Sequence, residues 1–189
     1  MYFDEYNYAY YYALKNHSRG AVVKSLNEKV KQFGNRLMWD RVTLSSINRD
    51  ATDYARTEWP KHYNDTTHHG FPISWERLYF KFLNKPSYFD LAVWQDVEGT
   101  RVLQGLALGK PSNAKTHLVI HWVERSFAPN YLKGGILLPI LACAEEYAKL
   151  LGSERVLIKD AVEPAKYERY GYKPYKLAKV RSSYLAKEL

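Results

Sequence analysis

Disulfide chemistry is the first thing this chain lacks. One cysteine, Cys143, stands among 189 residues, so no internal bridge can form. Cys143 falls in an apolar helical pattern and reads as a small buried side chain. A reducing compartment, the cytoplasm, is therefore the expected location. Long apolar runs are also missing: no stretch approaches the roughly 18 consecutive apolar residues that mark a membrane span, and no membrane partner is expected. The opening residues, MYFDEYNYAY, carry acids where a signal peptide carries bases, and are not read as one. A run of five lysines or arginines is absent, as are internal repeats and low-complexity linkers, so a basic tail is excluded.

What is present is an aromatic, basic, globular composition. Hydrophobic residues make up 46%, which excludes a disordered chain, and the length suits one domain with a real core. Seventeen tyrosines and five tryptophans bring large buried area with a polar edge. A net charge of +8 favours anionic partners: nucleic acid, an acidic protein or a phosphate-bearing cofactor. The charges are scattered, so general solubility explains them equally well.

Residues 1–34 stand apart. YNYAYYYALKNH leads into AVVKSLNEKVKQFG, where Val22, Val23, Leu26, Val30 and Phe33 fall at helical spacing and Gly34 supplies a stop. This reads as a tyrosine-rich helical N-terminal extension, packed on the rest of the chain or on a second subunit of a homo-oligomer. Residues 35–189 then form the main domain. RLMWDRVTLSSI predicts a strand over 36–47, and Asn48 caps a helix broken near Pro60. ISWERLYFKFLNK predicts a second helix with Trp75, Leu78, Tyr79 and Phe82 on one stripe. Two strands joined by a tight turn at Gly99 follow, then a long strand over 116–127. An apolar helix follows the pair Gly134–Gly135 and stops at Gly152. A strand buried on both faces (155–161), a short helix from Pro164 to Gly171 and one or two closing strands complete the chain. Hairpin-linked strands first and strand–helix–strand units later imply an α/β mixed sheet with helices on both faces.

A strand that runs through adjacent glycines into a helix makes an anion site, because the first helical amides lack internal partners and the helix dipole favours negative charge. Here the loop is APNYLKGG: Gly134 and Gly135 let the backbone approach a ligand and Lys133 adds charge. The cluster His62, Asp65, His68 and His69 lacks the ligand spacing of a zinc site and reads as an exposed loop.

From 116 to 174 the sequence resembles the core of the GCN5-related N-acetyltransferase (GNAT) family. Pro129 and Tyr131 resemble the family's Pro-x-Tyr entry to its pyrophosphate loop. Gly135 matches the central glycine of the Arg/Gln-x-x-Gly-x-Gly/Ala motif. DAVEPAKYERYGY resembles the Asn-x-x-Ala-x-x-x-Tyr-x-x-x-Gly-Phe segment, with Asp160 at the Asn position, Tyr167 at the tyrosine and Gly171–Tyr172 at Gly-Phe. The strand order extends the likeness over 36–189. Two positions depart from the motif: Leu132 replaces Arg or Gln, and Leu137 replaces Gly or Ala, where a branched side chain is expected to crowd the phosphates.

The resemblance implies a GNAT-like fold and an acetyl-CoA-dependent N-acetyltransferase, with Phe127, Lys133, Gly134, Gly135, Ile136, Leu137 and Asp160 toward the acetyl-CoA. It also implies that Tyr167 donates to the departing thiolate, since a phenol near 10 lies above a thiol near 8.5. His121 falls where some family members carry a glutamate. Neutral imidazole suits a base near pH 7, and Glu124 stands second, on the opposite face by strand alternation. The acceptor would be an amine on a protein, a small molecule or an aminoacyl-tRNA. A second reading is a non-catalytic binding protein on the same scaffold, its loop altered by loss of the cofactor. A third, resting on charge, is a nucleic-acid-binding or DNA-modifying protein of phage or mobile-element type.

Overall fold

A computed structural model describes residues 4–34, 36–63, 73–128, 132, 134–177 and 180–189, with the backbone alone at 4–6 and 33. Helix α1 (Asp4–Phe33) stops as its sequence predicts: Gly34 turns to φ 82° and its amide closes on Val30 O at 3.0 Å. Tyr11, Val22 and Leu26 of α1 are buried in the main core, whereas Tyr8, Tyr10 and Tyr12 stay 39–60% exposed. The extension thus supplies core side chains rather than standing clear of the domain.

The expected strand over 36–47 shrinks to β1 (Val42–Ser45). Met38 takes a left-handed φ of 51° before a 3-10 turn at Trp39–Arg41, and the Gln95 side-chain amide donates to both Leu37 O and Met38 O. These bonds hold a turn where extended backbone was expected. Helix α2 (Arg49–Thr57) has the predicted cap, with Asn48 accepting from the Ala51 amide at 3.0 Å, and gives way to a 3-10 turn containing Pro60. Helix α3 (Trp75–Phe82) is capped by Ser74 and buries Trp75 and Leu78.

Strands β2 (Phe89–Val97), β3 (Thr100–Pro111), β4 (His117–Arg125), β5 (Arg155–Lys159), β6 (Lys173–Tyr175) and β7 (Tyr184–Glu188) join β1 in one sheet of order β1-β2-β3-β4-β5-β7-β6. Only β4 and β5 pair in parallel; the other pairs are antiparallel. Helix α4 (Leu137–Leu150) makes the crossover between them, and α5 (Ala165–Glu168) follows β5. The sheet separates two cores. On one face Leu91, Val93, Leu118, Ile120, Val156 and Ile158 pack with α1, α4 and α5 residues; on the other Ala92, Trp94, Leu103, Leu106 and Leu108 pack with α2 and α3. No described helix is long and apolar enough to cross a membrane. Cys143 is fully buried on α4, and burial pushes its thiol up to about 12.

Candidate functional site at the parting of two strands

The parallel pair β4–β5 is short. Its last register partners are Ile120 and Ile158, after which β4 continues to Arg125 paired with β3 but not with β5. A parallel pair that ends while one strand continues leaves backbone amides and carbonyls on facing edges without partners from each other, a slot into which an extended ligand can pair.

A bulge sits at the mouth of this slot. On β3, Leu108 faces Trp122 and Gly109 faces Ile120, so His121 is an extra residue with no register partner. The extra residue inverts the strand's parity. Ile120 belongs to the α1–α4 core, but Trp122 packs on the α2–α3 side against Phe82, ring centroids 5.3 Å apart. The His121 ring lies against Trp122 at 5.1 Å. Glu124, expected on the opposite face from His121, shares the α2–α3 side: it is buried there, accepting from Trp75 Nε1 at 2.6 Å and Tyr63 Oη at 3.0 Å. Because His121 is itself the extra residue, alternation counted from it does not fix which face it takes.

The electrostatics of these groups differ. Burial, with Lys159 and Lys110 nearby, lowers the His121 imidazole to about 4, against a smaller opposing pull from Asp160. The ring is neutral at pH 7, but it holds a proton weakly. Glu124 anchors the segments before and after residues 64–72 through its two aromatic donors. Tyr63 feels it in return: burial and the adjacent carboxylate push that phenol up.

Tyr167 shares a core with Ile120 and Ile158, the last paired residues of β4 and β5. It is buried in the α1–α4 core, in T-shaped contact with Tyr172 at 6.4 Å. Burial, then Glu163, pushes its hydroxyl up to about 12. Tyr172 is itself held from behind, donating to Glu145 at 3.2 Å while Lys187 reaches the same carboxylate at 2.7 Å. Asp160 has φ 47°, and one of its carboxylate oxygens takes the amide and hydroxyl of Ser183 at 2.9 and 3.3 Å. It pins the start of β7 beside β5.

Among the described residues of the loop opening α4, the large side chains are buried. Leu132 is 1% exposed and Leu137 8%, both inside the core with Ile136, so neither fills the outer side of the loop. Gly135 is closely backed, since a Cβ there would stand 2.8 Å from Leu37 Cδ1. Its amide bonds Leu132 O and the Leu138 amide bonds Gly135 O. Among the described residues the amides of Ile136 and Leu137 find no backbone acceptor, and Pro139 has none to offer. No acidic side chain lies in the first turn of α4. Arg169, just after α5, donates to Gly134 O at 2.7 Å, bringing a guanidinium to the loop. Phe127 sits between the Tyr63 ring at 5.9 Å and the Arg125 guanidinium at 4.4 Å. Pro129, Tyr131, Lys133, Asp65, His68 and His69 lie outside the described residues; His62 lies in the 3-10 turn after α2.

Sequence reasoning singled out Tyr167, His121 and the α4 loop; the structure ties the end of α5 to that loop through Arg169. Sequence reasoning missed Arg169, although its position two residues past Tyr167 at a helix end was a readable signal. It also missed Gln104, the extra residue of a bulge on β3, whose side-chain amide is buried with neither atom hydrogen-bonded; no sequence pattern marks that.

No protein-family model matches the chain, and no curated protein matches it in sequence. Solved structures do match in fold. Spermidine N-acetyltransferase from Vibrio cholerae aligns over 79% of this chain and 94% of its own at 15% identity, with a TM-score of 0.53. The ribosomal-protein-S18-alanine N-acetyltransferase from Escherichia coli aligns over 78% and 92% at 13% identity and TM-score 0.50. N-acetylglutamate synthase from Neisseria gonorrhoeae, solved with coenzyme A and N-acetyl-glutamate, aligns over 78% of this chain and 35% of its own at 13% identity and TM-score 0.54. The chain has the fold of the GCN5-related N-acetyltransferases.

Proposed function

We propose that the chain is an acetyl-CoA-dependent N-acetyltransferase. The observation that carries this is the β4–β5 pair that ends at Ile120–Ile158 while β4 continues through a bulge at His121, with the buried phenol of Tyr167 in the same core as Ile120 and Ile158. The residues of the α4 loop fit a diphosphate: the amides of Ile136 and Leu137, which have no backbone acceptor among the described residues, the positive end of a 14-residue helix and the Arg169 guanidinium all favour negative charge, with no acid in the first turn to oppose it. Bound there, acetyl-CoA supplies an activated thioester carbonyl for attack by an amine.

The remaining work falls to the chain. Unpaired edge groups of β4 orient the donor, and the α2–α3 side admits the acceptor past Trp122. The acceptor attacks as the free amine, and His121 takes the proton from the cationic nitrogen formed on attack and, holding it weakly, passes it on to solvent. Tyr167 donates a hydrogen bond to the departing sulfur. With its pKa near 12 against about 8.5 for a thiol, full proton transfer would run uphill by about 5 kcal/mol, at about 1.4 kcal/mol per pH unit. The phenol therefore stabilises developing charge rather than surrendering its proton.

The test is calorimetric titration with acetyl-CoA. The expected result is micromolar binding that weakens at least tenfold in Arg169→Glu, an exposed substitution the fold tolerates. Absence of heat at millimolar acetyl-CoA would overturn the proposal and leave a scaffold without its donor.

A further inference from the structure

A cavity lies between α1 and α3, one strand over from the bulge. It has a volume of about 200 Å³, room for one planar ring system rather than a full-sized cofactor. One stripe of α1 forms its first wall: Tyr8, Tyr12 and Lys15, spaced i, i+4, i+7. Tyr79 and Phe82 of α3 form the second, and Tyr88, Asp90 and Leu108 lie at its base. The Tyr8 hydroxyl donates to Leu83 O at 3.1 Å, tying one wall to the other. Tyr12 remains 60% exposed, its ring free to be covered.

The charge of the cavity selects its occupant. Asp90 is already satisfied: Oδ1 accepts from Lys15 at 2.7 Å, and Oδ2 accepts from the Ile47 amide at 2.9 Å with Arg19 at 3.6 Å. An incoming amine would find no free carboxylate oxygen. Lys85, also in the lining, makes no ion pair among the described residues. Within the lining, Lys15 and Lys85 against Asp90 leave an excess of one positive charge, carried by Lys85 because Lys15 is paired with Asp90, beside five aromatic rings. Rings that stack and cations that meet phosphate are the two elements of sequence-independent nucleotide recognition.

We propose that this cavity binds a nucleotide unit, with the base between the α1 tyrosines and the α3 aromatics and the phosphate toward Lys85. Register places the cavity beside the bulge: Leu108 at its base pairs with Trp122, one strand spacing or about 5 Å away, and Asp90 pairs with Leu108 one spacing further on. The proposal does not depend on acetyl transfer.

The probes are adenosine 5′-monophosphate, adenosine and a tetra-adenylate, titrated into the full chain by calorimetry. Adenosine monophosphate should bind, and adenosine at least tenfold more weakly. Tyr12→Ala and Lys85→Glu should each weaken the nucleotide at least tenfold. Tyr12→Ala lies on an exposed face and should leave thermal melting and acetyl-CoA binding unchanged. Arg169→Glu should leave the nucleotide within twofold. Tetra-adenylate binding tenfold tighter than the monophosphate, with a steep salt dependence, identifies a nucleic-acid end as the natural occupant; equal affinities identify a free nucleotide. The proposal is overturned if the monophosphate shows no heat at millimolar concentration. It is equally overturned if binding survives both cavity substitutions and falls only in Arg169→Glu, which would place the phosphate at α4.

Discussion

Gly109 sits opposite the bulge that gives the slot its mouth, and replacing it tests whether that bulge has the tight geometry described. A Cβ on Gly109 would lie 2.7 Å from Ile120 Cδ1 and 2.9 Å from Val119 O, where relaxed contacts need about 3.5 Å or more. Ile120 is 1% exposed and has little space to move into. Val119 O is backbone, and retreats only if β3 and β4 separate. Overpacking of this kind costs about 1–3 kcal/mol, and a stretched ladder bond adds about 1. Gly109→Ala should therefore destabilise by about 2–4 kcal/mol, which for a chain of this size lowers Tm by roughly 4–15 °C. Two glycines serve as internal standards. A Cβ on Gly105 meets mainly the Ile136 side chain, at 3.0 and 3.2 Å, and Gly105→Ala should cost about 1 kcal/mol. Gly20 in α1 has nothing within 4 Å, and Gly20→Ala should stabilise by about 0.5–1 kcal/mol through helix propensity. Calorimetric melting of the three variants gives the order directly. If Gly109→Ala melts with the unmodified chain, or no lower than Gly105→Ala, the bulge geometry is wrong and the site built on it falls.

Three further outcomes are expected. Tyr167→Phe keeps acetyl-CoA binding within twofold and lowers turnover at least tenfold; unchanged turnover removes the hydrogen-bond role. Asp90→Ala strands the largely buried Lys15 and Arg19 and should cost about 3–5 kcal/mol in urea unfolding, whereas a loss under 1 would show that the pairs are solvated. His121 is neutral in the folded chain down to about 4, against 6.5 when unfolded. The unfolded chain therefore binds a proton first, and stability drains as pH falls from 6.5 to 4. The gap, at 1.36 kcal/mol per pH unit, bounds the loss at about 3 kcal/mol, roughly half that for a partly exposed ring. His121→Gln should flatten this limb of a Tm-versus-pH curve; an unaltered limb assigns it to other groups.

Local signals were legible wherever one residue type satisfies one backbone need. Asn48 at the start of α2, Gly34 after α1 and Gly152 after α4 all stand where sequence rules place caps and stops. The tyrosine-bearing short helix and glycine loop were found through motif spacing, which survives because the segments are close in sequence. What escaped was non-local. The parity of β4 depends on a bulge whose cause, the close approach of Gly109 to Val119 and Ile120, lies on another strand. β1 lost its first half to bonds from Gln95, nearly sixty residues on. The α1 stripe was visible as periodicity, but not its partner Asp90, more than seventy residues away.

The two candidate proton groups constrain the pH dependence of the proposed transfer more tightly than either constrains it alone. His121 carries no proton above about 4 and Tyr167 keeps its own to about 12. Between roughly pH 5 and 11 both are in the forms the reaction requires, so neither should produce a limb in that range. A limb observed near neutrality must then belong to the acceptor, because an amine attacks only after losing its proton. The prediction is that the acidic limb of kcat/KM moves with the acceptor: two amines whose pKa values differ by about two units should give limbs displaced by about the same amount. A limb fixed near 6.5 for both acceptors, and abolished by His121→Gln, would mean that the imidazole titrates normally. The burial and the two lysines beside the bulge would then not act on it as described, and the weak-base role assigned to it would have to be given up.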